Sequence, residues 1–279
     1  MLTSTFCHIP GIGPRTERGL WTAGIRGWDA FRTAASPPLS AAKTRLVAGH
    51  LDESAEHLEN EDPNYFCERL ATNQHWRLFS EFRRRTAYLD IETTGLGGPG
   101  DYVTTIALYD GRSVSTYVKG HNLEDFAEDV LNYRLIVTYN GKAFDVPFIR
   151  NFMGLRLTHA HIDLMHVLRS LGYRGGLKGC ERQLGLDRGD LEGIDGYFAV
   201  LLWQDFLRHR NDAALETLLA YNVQDVVNLE TLMVLAYNMK LKETPFSKTH
   251  AIATPGAPKL PFKPDMETVS RIRREHHFF

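Results

Sequence analysis

Two acidic side chains interrupt an apolar strand near the middle of the chain. Asp90 and Glu92 lie in the segment AYLDIETTGLGG (residues 87 to 98), between apolar neighbours. Because successive side chains on a strand point to opposite faces, the two carboxylates share one face. Buried together they would repel each other and lose hydration, and a hard divalent cation such as Mg²⁺ or Mn²⁺ would remove both penalties. Taken alone, the segment fits a solvated acidic edge strand equally well.

Three further residues could complete a cation site. Asp145 follows a second apolar strand in TYNGKAFDVPFI, and strand ends of an α/β sheet face one crevice; taken alone, it fits a helix cap better. Tyr221 and Asp225, in YNVQDVVNLETL, share one helical face, although alone they fit an exposed polar face better. Together, four acids from three elements predict two divalent ions, which could clamp both oxygens of an in-line phosphoryl displacement.

The elements around these residues predict an α/β fold. Residues 40–59 and 62–84 have the pattern of two helices, with Ser40 as a possible N-cap. A strand from Thr86, a hairpin at YDGRS and then alternating strands and helices indicate a mixed sheet covered on both faces. Proline and glycine are dense in residues 243–279, which predicts a mostly extended tail.

Composition and charge limit the function classes. The chain has 279 residues and a net charge of -2, so any attraction to nucleic acid must come from local basic patches. The three cysteines Cys7, Cys67 and Cys180 include no CxxC pair, which predicts free thiols in a reducing cytosol. The apolar runs are too short for a membrane span, and the N-terminus lacks the features of a signal peptide. We therefore expect a cytoplasmic protein.

Three motifs together resemble those of a nuclease superfamily. DIETTG, YNGKAFDVPF and YNVQD are similar, in order and on the expected elements, to the exonuclease motifs of the DEDD superfamily, the ribonuclease H-like 3′–5′ exonucleases. The third motif resembles that of the tyrosine (DEDDy) branch, and the compact chain is similar to stand-alone bacterial YprB-type proteins. The resemblance implies a ribonuclease H-like mixed five-stranded sheet flanked by helices over residues 85–242, after a small all-helical N-terminal domain (residues 1–84).

The resemblance also implies a role for each acidic motif residue. Asp90, Glu92, Asp145 and Asp225 would bind two Mg²⁺ or Mn²⁺ ions, and Tyr221 would orient the attacking water with help from Glu92. The reaction would be hydrolysis of phosphodiester bonds at the 3′ end of a single-stranded nucleic acid. Its products would be 5′-mononucleotides, with DNA favoured over RNA as the polymer.

Residues in or beside the expected crevice are predicted to contact the nucleic acid. They are Thr93, Asn140, Lys142, Phe144 and Lys178. By the resemblance, Asn140 and Phe144 shape the pocket beside the terminal nucleotide. Lys142 and Lys178 would supply positive charge close to the phosphates.

A second predicted contact lies near the N-terminus. PGIGPRTERGL, within residues 1–32, resembles a helix–hairpin–helix element. Gly11 and Gly13 would let the backbone approach a phosphate, and Arg15 would add charge. The alternative is a packing unit, with its two tryptophans buried against the rest of the protein.

Two other function classes fit parts of the pattern. One is a nucleic-acid-binding module that keeps the fold without turnover. All four acids and Tyr221 are present, which argues against this class. The other is a structure-specific endonuclease, against which the helix-borne pair of Tyr221 and Asp225 argues.

Overall fold

The computed structural model describes residues 1–256 and 258–276. Ala257 and residues 277–279, the last three residues of the predicted tail, lie outside the described residues. In the described ranges, no helix is both long enough and apolar enough to cross a membrane.

A five-stranded mixed sheet forms the centre of the protein, with the strands in the order β3-β2-β1-β4-β5. The three strands on one side form an antiparallel meander, whereas β1, β4 and β5 run parallel. The predicted five-stranded, helix-flanked α/β fold is therefore confirmed. The strands are β1 (Thr86–Thr93), β2 (Val103–Tyr109), β3 (Val114–Val118), β4 (Leu135–Thr138) and β5 (Ala160–Asp163).

Helices precede the sheet and cover both of its faces. Before β1 lie α1 (Pro14–Thr22), α2 (Trp28–Thr33), α3 (Ala41–Glu59), α4 (Pro63–Arg69) and α5 (Phe79–Phe82), with 3₁₀ turns at Leu2–Ser4, Thr72–Leu78 and Arg83–Arg85. After β3 lie α6 (Phe126–Asp129), α7 (Asp145–Met153), α8 (Leu164–Ser170), α9 (Gly176–Gln183), α10 (Gly196–His209), α11 (Asp212–Leu241) and α12 (Met266–Glu275), with 3₁₀ turns at Leu123–Asp125, Val130–Asn132 and Gly189–Leu191.

Side-chain caps fix the start of several helices. Ser40 accepts a hydrogen bond from the Lys43 amide and begins α3, which confirms its predicted role. Asn211 caps α11 in the same way, by accepting from the amide of Ala213. Helix α11 is 30 residues long, and most of its residues are buried because it packs against β1, β2 and α10. This long buried helix positions the third sequence motif against the first strand.

Two segments differ from the sequence-based expectation. The single helix expected over residues 62–84 was wrong, because Leu70 and Ala71 adopt extended backbone and divide it into α4, a 3₁₀ turn and α5. Within the segment expected to be extended, residues 266–275 form α12 instead. Val269 and Ile272, three positions apart on α12, are buried in the same apolar cluster as α10 and α11.

The N-terminal part of the chain (residues 1–84) packs around buried aromatic side chains. Trp21 and Trp28 are buried, and their indole N–H groups donate to the carbonyls of Ser4 at 2.9 Å and Thr5 at 2.8 Å. A single 3₁₀ turn at Leu2–Ser4 stands where a helix–hairpin–helix element would have its first helix. The apolar cluster that contains these tryptophans continues into α11 and one face of the sheet.

Candidate active site

A cavity of about 820 Å³ lies beyond the ends of β1 and β4. Strand β1 contributes Asp90 and Glu92, and the turn after β4 contributes Asn140. The opposite walls come from the first turn of α9, from residues 196–204 of α10 and from one face of α11. Strand β1, the parallel strand β4 and the long helix α11 thus meet at one cavity, and ligand sites of open α/β sheets commonly lie at such strand ends.

Three carboxylates converge in this cavity. Asp90, Glu92 and Asp225 each offer one oxygen, and the three oxygens lie within 4.8 Å of one another. No other group of at least three His, Cys, Asp or Glu side chains is so arranged among residues 1–256 and 258–276. Glu92 and Asp225 are buried, whereas Asp90 is partly exposed to the cavity.

A relay of polar side chains fixes Asp90. One Asp90 oxygen accepts a hydrogen bond from Asn222 Nδ2 at 2.7 Å. The Asn222 carbonyl oxygen in turn accepts from Thr105 Oγ1 at 3.0 Å, on β2. Because both Asn222 and Thr105 are fully buried, the carboxylate of Asp90 has a defined orientation between β1 and α11.

The acids repel one another strongly. Burial raises the pKa of Asp90 well above its ordinary value, and the charges of Asp225, Glu92 and Asp145 raise it further. Burial and then Asp225 raise the pKa of Glu92 in the same way, against the opposing pull of Lys178. A divalent cation would offset both the cost of burying the carboxylates and the repulsion between them. Carboxylate oxygens are the donors that hard cations prefer. The residues present therefore fit a Mg²⁺- or Mn²⁺-type ion.

Asp145 lines the same cavity but stands apart from the three-acid group. Asn140 has a left-handed φ of 63°, and at Gly141 an added Cβ would lie 2.3 Å from Thr138 Oγ1. This tight turn delivers Asp145 to the first position of α7, where Phe144 is the N-cap and no side chain caps the helix. Burial raises the pKa of Asp145 to about 7. Asp145 therefore lines the cavity and is not the N-cap of α7.

Tyr221 completes the set of residues from the third motif. It is buried on α11, and its hydroxyl accepts a hydrogen bond from Lys178 Nζ at 2.6 Å. Lys178 also donates to the carbonyl of Ile194, which holds the ammonium in place. Burial and then Asp225, Glu92 and Asp90 raise the pKa of Tyr221 well above its ordinary value. Tyr221 is therefore a neutral phenol whose own proton remains available for donation.

The sequence of this region identifies the family. Residues 87–237, more than half of the chain, match the profile of the RNase_H superfamily. The chain belongs to the RNase_H superfamily. The matched range begins in β1 and ends in α11, so it contains every residue of the three-acid group.

One curated relative of this RNase_H superfamily member is YprB of Bacillus subtilis (strain 168). The two sequences are 31% identical over 191 residues, which cover 60% of this chain and 45% of YprB. The chain therefore spans less than half the length of this relative.

Two solved structures are similar to part of this chain. A family B DNA polymerase from the archaeon Pyrobaculum calidifontis is 17% identical, with a TM-score of 0.42, over 60% of this chain and 27% of the polymerase. NrnC from Brucella melitensis is 19% identical, with a TM-score of 0.39, over 62% of this chain and 81% of NrnC.

A buried charged network behind the cavity was not foreseen from the sequence. Arg188 lies in the loop after α9 and makes an ion pair with Asp225. Its other terminal nitrogen donates to both oxygens of Glu181, at 2.9 and 2.8 Å. Asn228 Nδ2 donates to Glu181 Oε1 at 2.7 Å. Glu181 follows Lys178 by three positions on α9, and this helical spacing was the one available signal.

The predicted nucleic-acid contacts divide into two groups. Thr93, Asn140, Phe144 and Lys178 line the cavity. Lys142 is exposed beside it and does not line it, although its backbone amide donates to Asp163 Oδ2 at 3.2 Å.

The remaining three predicted contacts lie in the N-terminal part. Gly11, Gly13 and Arg15 are exposed, on the loop before α1 and in its first turn. Gly11 has a left-handed φ of 76°. None of the three lines the acid cavity, so any contact they make with nucleic acid is separate from it.

Proposed function

We propose that this protein is a metal-dependent 3′–5′ exonuclease of the DEDDy type, which hydrolyses phosphodiester bonds of nucleic acid and releases 5′-mononucleotides. Membership of the RNase_H superfamily supports this proposal. The observation that carries it is the convergence of Asp90, Glu92 and Asp225 within 4.8 Å, in a cavity that Tyr221 also lines.

The proposed cofactor is a pair of Mg²⁺ or Mn²⁺ ions. Asp90, Glu92 and Asp225 would hold them, with Asp145 from the same cavity completing the ligand set. When bound, such ions activate water and offset charge on a phosphate. The four carboxylates come from β1, α7 and α11, and all four line one cavity.

Tyr221 is proposed to orient the attacking water. Lys178 donates to the phenol oxygen, so the phenol proton is directed to another acceptor. Because its pKa is raised well above 10, Tyr221 stays protonated at neutral pH and is not available as a general base. Donation of an orienting hydrogen bond is therefore the role we assign to Tyr221, and Glu92 would assist as an acceptor.

Single-stranded 3′ ends are the proposed substrate, with DNA favoured. Phe144 lines the cavity, and Leu96 at its rim is 93% exposed, which suits contact with the apolar faces of bases. We also propose that Gly11, Gly13 and Arg15 contact the DNA backbone, as a helix–hairpin–helix-like element would. In this division, residues 1–84 are the helical domain, 85–242 the exonuclease domain and 243–279 the tail.

The test is a nuclease assay with single strands of DNA and of RNA side by side. We expect mononucleotides to be released from a 3′-labelled DNA oligonucleotide in Mg²⁺ or Mn²⁺ but not in EDTA. Asp225→Asn should abolish release, whereas Asp212→Asn, an exposed acid in the first turn of the same helix, should not. Internal fragments would instead indicate an endonuclease, and binding without cleavage a nucleic-acid-binding module.

A further inference from the structure

Arg188 joins two buried carboxylates behind the proposed metal site. Its side chain is 3% exposed, and those of Glu181 and Asp225 are 0% and 6% exposed. One guanidinium nitrogen donates to both oxygens of Glu181, and the other donates to Oδ1 of Asp225. A planar guanidinium presents its donors to two carboxylates in a fixed fork, whereas a lysine ammonium is a point charge on a flexible stem.

The network begins and ends on the same helix. Asp225 and Asn228 are three positions apart on α11, and Asn228 donates to Glu181 Oε1 at 2.7 Å. Glu181 binds Arg188, which returns to Asp225. Because α9, the loop after it and α11 are tied together in this way, the orientation of the Asp225 carboxylate does not depend on its own rotamer preference alone.

Charge balance separates this arrangement from a simple neutralising ion pair. Glu181 already supplies a bidentate partner that compensates Arg188. The Arg188–Glu181 pair therefore adds no net charge beside the cavity. Asp225 gains a fixed hydrogen-bond donor, while the cavity keeps the negative charge that attracts a cation.

We propose that Arg188 is a positioning residue, which holds Asp225 in the orientation that divalent-cation binding requires. This inference rests on the proposed function. Outer partners that orient a metal ligand commonly set the affinity of the metal by a factor of about 10 to 100. Loss of Arg188 should therefore weaken cation binding, even in the absence of any nucleic acid.

The experiment is a calorimetric titration of the protein with Mn²⁺ alone. We expect Arg188→Gln to weaken Mn²⁺ binding by about tenfold or more. Arg188→Gln leaves the buried Glu181 without its cation, which could unfold the protein. A second variant, Glu181→Gln with Arg188→Gln, therefore removes both charges, and the glutamine introduced at position 181 can still accept the hydrogen bond from Asn228. The same loss of affinity is expected in this double variant.

The matched control is a second buried arginine–glutamate pair. Arg77 binds Glu17 in the N-terminal part, and the two side chains are 5% and 1% exposed. Glu17→Gln with Arg77→Gln makes the same chemical change away from the cavity, and its Mn²⁺ affinity should stay within about twofold of wild type. Unchanged or tighter Mn²⁺ binding in a folded Arg188→Gln or double variant would overturn the assignment.

Failure of the proposed function would give a different result. In that case the wild-type protein would neither bind Mn²⁺ nor hydrolyse nucleic acid. If the wild type does both and the Arg188 variants bind Mn²⁺ equally well, only the role of Arg188 is wrong.

Discussion

Two arginine–glutamate pairs are buried within residues 1–256 and 258–276, and their surroundings differ. Arg77 Nη2 binds Glu17 Oε2 at 2.8 Å, and the other oxygen of Glu17 accepts from Thr5 Oγ1 at 2.5 Å and the Phe6 amide at 2.8 Å. All of these partners belong to the N-terminal part. Arg188 instead contacts a second carboxylate, Asp225, which faces the acid cavity.

The difference shows what each region is built to do. Around Arg77 the charges balance, and its guanidinium lies 4.8 Å from the centre of the Trp76 ring, so the pair is closed into an aromatic core. In the cavity the carboxylates outnumber the cations, and Asp90, Glu92, Asp145 and Asp225 all have raised pKa values. An uncompensated cluster of this kind lowers stability unless a cation binds, which is typical of a functional site.

The largest predicted contrast comes from removing one acid in each region. Asp90→Asn should lower the hydrolysis rate about a thousandfold or more, while the unfolding free energy in EDTA does not fall, because a repelling carboxylate has been removed. Glu17→Gln should cost about 3–5 kcal/mol of stability by leaving Arg77 unpaired, with hydrolysis retained in the folded fraction. For both variants, denaturant unfolding in EDTA measures the unfolding free energy and a nuclease assay measures the hydrolysis rate. An Asp90→Asn protein that unfolds would contradict the comparison.

The pH dependence of stability should also separate the two regions. His8 is 2% exposed, with rings of Phe66 and Trp28 beside it, and burial lowers its pKa to about 3. Because the unfolded chain binds this proton near pH 6.5, the stabilisation is complete above that pH and is lost as the pH falls towards 3. The contribution of His8 to the unfolding free energy should fall by about 2 kcal/mol at pH 5. The acids of the cavity have the opposite effect on stability. Because their pKa values are raised in the folded state, the folded protein binds their protons more tightly than the unfolded chain, and their protonation raises the unfolding free energy as the pH falls.

Equilibrium unfolding in EDTA between pH 7 and 5 tests this prediction. His8→Gln should remove the contribution of His8, so that its unfolding free energy at pH 5, relative to pH 7, lies about 2 kcal/mol above that of the wild type. A Gln side chain can keep the hydrogen bond that Ser54 makes with His8 Nε2 at 2.8 Å. His276→Gln is the control, since His276 is exposed at the end of α12. If the stability of His8→Gln changes between pH 7 and 5 by the same amount as that of the wild type, burial of His8 does not contribute to the pH dependence.

The sequence was sufficient for the sheet and for the acid-bearing elements. Residues 86–93 have alternating chemistry with two acids on one face, and the hairpin at Asp110–Ser113 has a strong turn signal. The contact between Asp225 and Asp90 could be predicted only from the family resemblance, because the two residues lie 135 positions apart in the sequence. The pattern within each element could not fix that contact.

Other features had no local signal. Arg188 lies in a loop with no periodic pattern, so its contact with Glu181 and Asp225 depends on tertiary packing. The break at Leu70 and Ala71 contains neither proline nor glycine, and tertiary contacts override the helical pattern there. Helix α12 follows a proline-rich run that concealed it, although its Asp265 cap is a recognisable start.

The smallest predicted effect concerns two buried tyrosines, one in each region. Tyr221 is proposed to donate one orienting hydrogen bond, which is worth about 1–1.5 kcal/mol. Tyr221→Phe should therefore lower kcat about tenfold, and Mn²⁺ affinity should change less than twofold because a phenol is not among the proposed ligands. Tyr65, whose hydroxyl contacts Glu53 Oε2 at 3.2 Å in the N-terminal part, provides the control.

Tyr65→Phe should leave kcat unchanged, so the pair of variants separates loss of a buried hydroxyl from loss of the hydroxyl beside the acids. An unaltered kcat in Tyr221→Phe would remove its role in orienting water. Weaker Mn²⁺ binding in Tyr221→Phe would instead mean that Tyr221 and Lys178, which donates to it at 2.6 Å, act by shaping the acid cluster. The ratio between the change in kcat and the change in Mn²⁺ affinity therefore distinguishes an orienting hydrogen bond from a structural one.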